Sequence, residues 1–205
     1  MSLDTYANLK TALANALHRS DLTSAVPDFI TLAEDKLNKR LRLRAMETRV
    51  TASVSSEYLS LPTGFLSMRN FQLNTTPRTR LEYATPEWLD AKFASSTATG
   101  LPAFYSMVGG EIQLAPVPDT TYTAEMDYYK RFDLATDLTN WLLTNAPRAY
   151  YYGALMEAAA YLKNDVRVPM WSQMLETALG EIERADSIDR MPASSLQMRP
   201  DGVVV

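Results

Sequence analysis

The stretch Phe104–Ala115, FYSMVGGEIQLA, decides the fold of the middle of this 205-residue chain. Two five-residue segments flank Gly109-Gly110, and both glycines can adopt the positive φ that a two-residue hairpin turn requires. The stretch therefore predicts an antiparallel hairpin and places it in a β-rich region.

The β-rich region extends in both directions, over about residues 48–132. Apolar and polar residues alternate from Val50 to Val54, and the turn residues after them lead to residues 58–61, a pattern that predicts a second hairpin. Phe71 to Leu73 and Tyr122 to Tyr128 predict further strands. We expect four or five antiparallel strands here.

On both sides of this region, apolar residues recur at the spacing of a helix. In residues 4–44, apolar residues recur every three or four positions in two stripes, and Pro27 fits the first turn of the second helix. Asn145 fits the N-cap of a later helix, which continues to Leu162 and is apolar almost all round. A helix without a polar face is typical of a bundle centre. A last helix is expected from about Pro169.

The order of helices, strands and helices predicts an α+β protein. We expect a helical bundle formed by the N- and C-terminal helices, residues 1–45 and 140–185. Residues 46–139 are expected to form an inserted antiparallel β subdomain, and residues 186–205 an extended C-terminal tail.

The composition excludes several classes of protein. With 46% hydrophobic residues, 21% charged residues and 7 glycines, the chain is neither disordered, collagen-like nor a coiled coil. Its longest nearly apolar run, Ala154–Leu162, is far below the ~20 residues that cross a bilayer, so no membrane association is expected. The absence of cysteine suits synthesis in a reducing cytoplasm.

The sequence offers little for catalysis. The one histidine, His18, falls at the end of the first helix, where a positive charge suits the helix dipole. With no cysteine and no glycine-rich phosphate loop, we expect no metal site, no cofactor and no enzymatic activity. A hydrolase built on a pair among the 24 acidic residues stays open as an alternative.

A basic cluster lies at the end of the second helix and just beyond it. Its members are Lys36, Lys39, Arg40, Arg42, Arg44 and Arg49. One interpretation is a solvated helix face whose last-turn cations suit the dipole. The other is a contact with nucleic-acid phosphates or with an acidic partner surface. No aromatic residues are interleaved with these cations in the way that base recognition requires, so sequence-specific binding is not expected.

Tyrosines are numerous, at eleven, and tyrosine is enriched at protein interfaces. Core packing is expected to account for at least half of them. The consecutive tyrosines at positions 150–152 point about 100° apart on a helix, so they cannot all face one core. The candidates for a subunit interface are Tyr129, Tyr150 and Tyr152.

The tail after Asp186 has too few large apolar residues to pack on itself. It is either a frayed terminus or an extended arm that gains structure on a partner, for instance by adding to a sheet edge. The docking candidates are Leu196, Met198, Arg199, Val203, Val204 and Val205.

Four blocks of sequence together resemble a known family. They are DLTSAVPDFI (21–30) leading into Leu32-Ala33-Glu34 and Leu41-Arg42; LPTGFL (61–66); LAPVPD (114–119) followed by Tyr128-Tyr129; and NWLL (140–143) running into YGALMEA (152–158). In order and spacing they resemble the head-to-tail adaptor, or connector, proteins of tailed bacteriophages. The similarity covers roughly residues 4–182.

The resemblance implies a structural role in the neck of the virion. Such adaptors form a ring of twelve copies beneath the portal, extend the DNA channel and offer a platform to the next tail component, without an active site. The implied partners are other copies, the portal protein, a tail protein and DNA in passage, and the C-terminal segment would grip the portal. A non-specific nucleic-acid-binding module that uses the basic end of helix two is the alternative.

DNA must slide through such a ring, and each cation bound to a phosphate strengthens attachment. We therefore expect the basic cluster at a subunit or portal interface more than in the channel.

Overall fold

The computed structural model describes residues 3–18, 20–93, 99–162 and 166–190. By internal contacts the chain divides into two compact units. One is helical and comprises the described residues of Met1–Leu43 and Asp133–Val205; the other is β-rich and comprises those of Arg44–Phe132. This arrangement confirms the predicted α+β class.

The described helices in chain order are α1 (Tyr6–Leu17), α2 (Val26–Arg40), α3 (Pro86–Lys92), α4 (Leu134–Asp137), α5 (Trp141–Asn145), α6 (Pro147–Leu162) and α7 (Val168–Arg190). Short 3-10 turns occupy Ser20–Leu22 and Arg44–Met46. Apart from α3 and the second turn, these elements belong to the helical unit.

Local signals set the ends of the first two helices. The Thr5 hydroxyl accepts a hydrogen bond from the Asn8 N–H at 3.2 Å and caps α1, which ends where His18 adopts a left-handed φ of 50°. Pro27 lies in the first turn of α2, as predicted, where its missing N–H leaves no hydrogen bond unmade.

Helix α6 is the centre of the helical unit, as its apolar sequence predicts. It packs against α1, α2, α5 and α7. Gly153 allows the close approach of α2, since a Cβ built there would lie 3.2 Å from the Ala33 Cβ. Its other buried residues, apart from Tyr150 and Leu155, are alanines, which keep the neighbouring helices near.

Two sequence expectations in this unit need correction. Asn145 does not cap α6, because it is the last residue of α5 and its side-chain amide donates to the Trp141 carbonyl. The asparagine that does cap a helix is Asn140, at the start of α5, whose Oδ1 accepts a hydrogen bond from the Leu143 N–H at 2.8 Å. The helix expected to end before Asp186 continues to Arg190.

The extension of α7 has a local cause. The Arg190 guanidinium pairs with the Asp186 carboxylate one turn earlier and also donates to the Arg42 carbonyl at 3.0 Å. The expected extended tail therefore does not begin at residue 186, and its remaining residues, 191–205, lie outside the described part of the chain.

The described strands of the β-rich unit are β1 (Glu47–Val54), β2 (Tyr58–Ser60), β3 (Phe65–Leu73), β4 (Thr79–Arg80), β5 (Glu82–Tyr83), β6 (Thr99–Gly100), β7 (Phe104–Val108), β8 (Glu111–Ala115), β9 (Val117–Pro118) and β10 (Tyr122–Lys130). They form two four-stranded sheets, ordered β1-β10-β3-β4 and β2-β8-β7-β5, and a small β6-β9 pair.

The hairpin predicted at Gly109-Gly110 is confirmed. Strands β7 and β8 pair antiparallel, with Val108 opposite Glu111, and the two glycines have φ of 61° and 91°. Positive φ at both central positions is the requirement of the tight turn that suits twisted strands.

The second predicted hairpin is wrong. Strand β1 pairs along its whole length with β10, whereas β2 pairs with β8 in the other sheet. Pairing with β10 lets Val54 join the buried core of this unit with Val50 and Ala52 beside it, which a three-residue β2 could not achieve. The other described pairings of the long strands are antiparallel, as expected, and two short two-residue pairings, β5-β7 and β6-β9, are parallel.

One apolar core lies between the two four-stranded sheets. Phe71 of β3 and Tyr105 of β7 meet in an edge-to-face contact with ring centroids 5.3 Å apart. The other buried members are Val54, Leu73, Leu81, Ile112, Leu114, Ala124 and Met126.

Candidate functional site

A buried polar network ties α2 to the segment that follows the β-rich unit. The Glu34 carboxylate of α2 accepts hydrogen bonds from the Leu134 N–H, at 3.0 and 3.2 Å to its two oxygens, and from the Tyr150 hydroxyl at 2.5 Å. An anion at the first residue of α4 satisfies a helix N–H that would otherwise lack an acceptor. Residues 133–139, expected in the β subdomain, therefore belong to the helical unit.

Tyr150 is a core residue and not an interface residue. It is 0% exposed, and its hydroxyl also accepts from the Asn140 side-chain amide at 2.7 Å. Burial, and next the negative charge of Glu34, raise the pKa of this tyrosine strongly. The prediction of Tyr150 as an interface aromatic is wrong, because a side chain enclosed within the protomer cannot contact a second copy.

The other two predicted interface tyrosines differ from each other. Tyr129 of β10 is buried, and its hydroxyl donates to Glu47 and accepts from Arg69. Tyr152 of α6 is half-buried, packs edge-to-face on Tyr151 and lines a groove. Of the three tyrosines, Tyr152 alone presents a substantial surface.

The basic cluster is distributed over both units. Lys36, Lys39 and Arg40 lie on α2 and Arg42 follows it, all in the helical unit. Arg44, in the second 3-10 turn, and Arg49, on β1, belong to the β-rich unit.

Both lysines of the cluster form ion pairs within the protomer. The Lys36 Nζ lies 2.6 Å from Glu157 Oε1 of α6, and the Lys39 Nζ lies 2.6 Å from Asp35 Oδ2 one turn earlier. Glu157 is mostly buried, whereas the lysines are exposed. Their charges are therefore largely neutralised locally.

Arg40 connects α2 with α7 through two carboxylates. Its Nη1 lies 2.7 Å from Glu176 and its Nε lies 3.2 Å from Glu183. The hydrogen bond that Arg40 donates to Glu176 is the main cause of the raised pKa of Arg40. The guanidinium thus joins α2 to α7 through a contact between residues that are 136 positions apart in sequence.

The remaining arginines of the cluster also have partners. Arg42 donates from Nη1 to the carbonyls of Asn38 and Leu41, and so occupies acceptors at the end of α2. The Arg49 guanidinium lies 2.7 Å from Asp127 on the adjacent strand, a hydrogen bond that raises the pKa of Arg49. Arg44 is likewise engaged with another residue.

A groove runs along α7 beside α5 and α6, and sequence reasoning missed it. It consists of two adjoining depressions of about 430 and 460 Å³ that share Arg148, Ala178 and Glu181. We call it the α6–α7 groove; the lining residues that matter below are Trp141, Arg148, Tyr152, Met170, Met174 and Glu181. The signal was an exposed apolar pair on α7, Met170 and Met174, spaced one helical turn apart.

The described residues contain no cluster of three or more histidine, cysteine or acidic side chains able to hold a metal ion. Among them, no helix has both the length and the apolar character needed to span a membrane. His18 is exposed at the end of α1, where the sequence places it. The six tail candidates, from Leu196 to Val205, lie outside the described residues.

No curated protein matches the sequence at a significant level. The model of one protein family, described as SU10 adaptor protein, matches residues 4–199, which is nearly the whole chain. The family resemblance seen in the sequence is thereby confirmed, and the chain belongs to the SU10 adaptor protein family, a structural family of bacteriophage adaptors.

Proposed function

We propose that this chain is a head-to-tail adaptor that forms a ring of about twelve copies beneath the portal, a symmetric closed assembly. The ring would extend the DNA channel and provide the platform on which the tail assembles, in the neck of the virion. The observation that carries this proposal is the family match over residues 4–199. No catalytic step is part of it.

The internal pairing of the basic cluster supports a ring through which DNA slides. Four of its six cations, Lys36, Lys39, Arg40 and Arg49, lie within 3.5 Å of a carboxylate of the same protomer. Affinity for DNA grows with each phosphate that a cation neutralises, so paired cations on a chain of net charge −4 contribute little. This favours the adaptor over a nucleic-acid-binding module.

The C-terminal tail is the segment that we propose to contact the portal. Helix α7 ends at Arg190, and 15 residues follow it. Fully extended, they would reach ~50 Å, enough to cross onto a neighbouring protein. We place the basic cluster at a subunit or portal interface rather than in the channel, because cations in the channel would hold the phosphates of DNA that must slide through it.

Native mass spectrometry of the full chain, with and without the purified portal protein of the same phage, tests this function. A closed ring of about twelve copies, bound to the portal, is the expected result. A chain truncated after Arg190 is expected to lose portal binding while its helical unit stays folded. A full-length chain that stays monomeric in the presence of portal would contradict the proposal.

Binding to duplex DNA, measured across salt concentrations, separates the alternative. The adaptor is expected to bind DNA weakly, with a shallow dependence on salt. Tight binding that falls steeply as salt rises would indicate phosphate contacts and favour the nucleic-acid-binding module.

A further inference from the structure

The helical unit exposes apolar side chains in the α6–α7 groove. Met174 is 40% exposed, and Met170 and Trp141 are exposed to a similar degree. Tryptophan, tyrosine, methionine and arginine are the residue types enriched at protein interfaces, and the groove is lined by all four. The groove is therefore a concave surface with the composition of a binding site for another protein.

Two more exposed apolar side chains lie on α2 and at the end of α6. Leu32 is 52% exposed and Tyr161 is 63% exposed. The Tyr161 ring packs on the buried Phe29 with centroids 5.6 Å apart, and Leu32 lies one turn after Phe29 on α2. We call Leu32 and Tyr161 the α2–α6 knob, because both are exposed and both lie next to the buried Phe29, Tyr161 by ring contact and Leu32 along α2.

The groove and the knob lie on opposite faces of α6. Tyr152 lines the groove, Tyr161 belongs to the knob, and nine residues separate them. At about 100° per residue, nine residues rotate the side chain by about 180°. A closed ring needs two unlike, complementary surfaces on each subunit, and opposite faces of one helix provide them.

Charged residues add complementarity to this pair of surfaces. Arg148 and Glu181 line the groove, and neither forms a hydrogen bond or ion pair with another residue in the described part of the chain. Asp28, exposed one turn before Leu32, likewise has no hydrogen bond or ion pair among the described residues. An acid beside the knob thus matches an arginine in the groove.

We propose that the α6–α7 groove of one protomer receives the α2–α6 knob of a second copy, and that this contact closes the ring. Leu32 and Tyr161 pack on Met170, Met174 and Trp141 across the interface. Asp28 of one copy pairs with Arg148 of the next. The inference rests on the proposed ring and specifies which surfaces build it.

Two substitutions test the surfaces separately. Met174→Asp damages only the groove and Leu32→Asp damages only the knob, and both positions are exposed in the protomer, so folding is unaffected. Each is expected to lower the fraction of full-length protein in rings on the portal by roughly tenfold or more, as for central interface residues. The matched control is Ile188→Asp, also on α7 and 59% exposed but outside the groove, which is expected to assemble normally.

A mixture of the two variants gives a sharper signature. Met174→Asp keeps an intact knob and Leu32→Asp keeps an intact groove, so exactly one of the two contacts can form between them. Native mass spectrometry is expected to show a one-to-one heterodimer and nothing larger. Rings formed by the mixture, or by either variant alone, would overturn the inference and leave the adaptor function standing.

A charge exchange tests the ion pair. Arg148→Asp and Asp28→Arg are each expected to reduce ring formation, and the double variant is expected to restore it, because each interface then has the pair reversed. No restoration in the double variant would overturn the Asp28–Arg148 contact. A wild-type chain that forms no ring even on portal would instead overturn the proposed function, and this inference with it.

Discussion

The Tyr150 hydroxyl donates a 2.5 Å hydrogen bond to Glu34 Oε1, and both side chains are buried in the helical unit. This contact joins α6 to α2 across 116 residues of sequence. The same carboxylate also accepts a hydrogen bond from the N–H of Leu134, the first residue of α4. A charged acceptor taken out of water is stabilised only if its hydrogen bonds are made, so the network constrains how these three segments pack.

Replacing Tyr150 with Phe removes the hydroxyl while the ring still fills its place. Glu34 and the Asn140 amide then each lose a partner. We expect the free energy of unfolding to fall by about 1.5–3 kcal/mol, the range for hydrogen bonds to charged groups. Urea denaturation measures the loss. Tyr151→Phe is the control, expected to change stability by less than about 0.5 kcal/mol, since its half-buried hydroxyl has no hydrogen bond within the described residues. Equal effects of the two variants would contradict a special role for Tyr150.

The raised pKa of Tyr150 predicts destabilisation at alkaline pH. Its causes are burial first and the Glu34 charge second. Above pH ~10, the unfolded chain releases the Tyr150 proton while the folded chain keeps it, so stability falls as pH rises, by up to about 1.4 kcal/mol per pH unit from this group. Unfolding free energies at pH 9, 10 and 11 are expected to decline less steeply in Tyr150→Phe than in the wild type. Parallel declines would show that Tyr150 does not contribute.

Substitutions at Gly109 test the hairpin turn between β7 and β8. Its φ is 61°, and an added Cβ would meet no atom within 4 Å, so any cost of a side chain comes from the backbone alone. Gly109→Val is expected to destabilise by about 1–2 kcal/mol, because a left-handed conformation is unfavourable for a β-branched residue. Gly109→Asn should cost much less, since Asn-Gly suits this turn. Thermal unfolding compares the two, and a Val variant as stable as the Asn variant would argue against the turn.

Substitutions at two helical glycines are expected to change the free energy of unfolding in opposite directions. A Cβ at Gly153 would lie 3.2 Å from the Ala33 Cβ, whereas one at Gly180 on α7 meets nothing within 4 Å. Gly153→Leu forces α2 and α6 apart and is expected to cost about 1–3 kcal/mol, as overpacking does. Gly180→Ala is expected to stabilise by about 0.5–1 kcal/mol, because alanine loses less backbone freedom in a helix. Chemical denaturation measures the sign of each change, and a stabilising Gly153→Leu or a destabilising Gly180→Ala would contradict this account of the two positions.

Local patterns in the sequence predicted the longer elements but not the two-residue strands, α4, α5 or every strand pairing. The glycine pair, Pro27 and the apolar stripe of α6 each act within a few residues, and each element was found where its signal lies. The pairing of β1 with β10 was missed, because Val50 and its neighbours alternate identically whichever strand lies beside them. Likewise Asn140 and Asn145 are equally suited to cap a helix, and only the packing of α5 decides between them.

The candidate sites were likewise predicted only as far as neighbouring residues determine them. Tyr150 was assigned to an interface because a helical wheel gives its direction but not what lies there, which is Glu34 of α2. The basic cluster is visible in sequence, but the carboxylates that neutralise it, such as Glu176, are distant along the chain. The α6–α7 groove is built from three helices, so no single segment contains its signal.

The amino-acid order by itself determined an α+β chain with a strand-rich insertion between helices and the turn at Gly109-Gly110, because backbone dihedral preferences and hydrophobic period are properties of neighbouring residues. Its family was also recognisable, because the resemblance lies in short blocks of neighbouring residues. Only the tertiary structure decided which surfaces remain exposed to solvent and which charged side chains form ion pairs within the protomer. Arg49 with Asp127, 78 residues apart, and Arg40 with Glu176 meet only once the chain has folded, and a charge that already has a partner attracts few others.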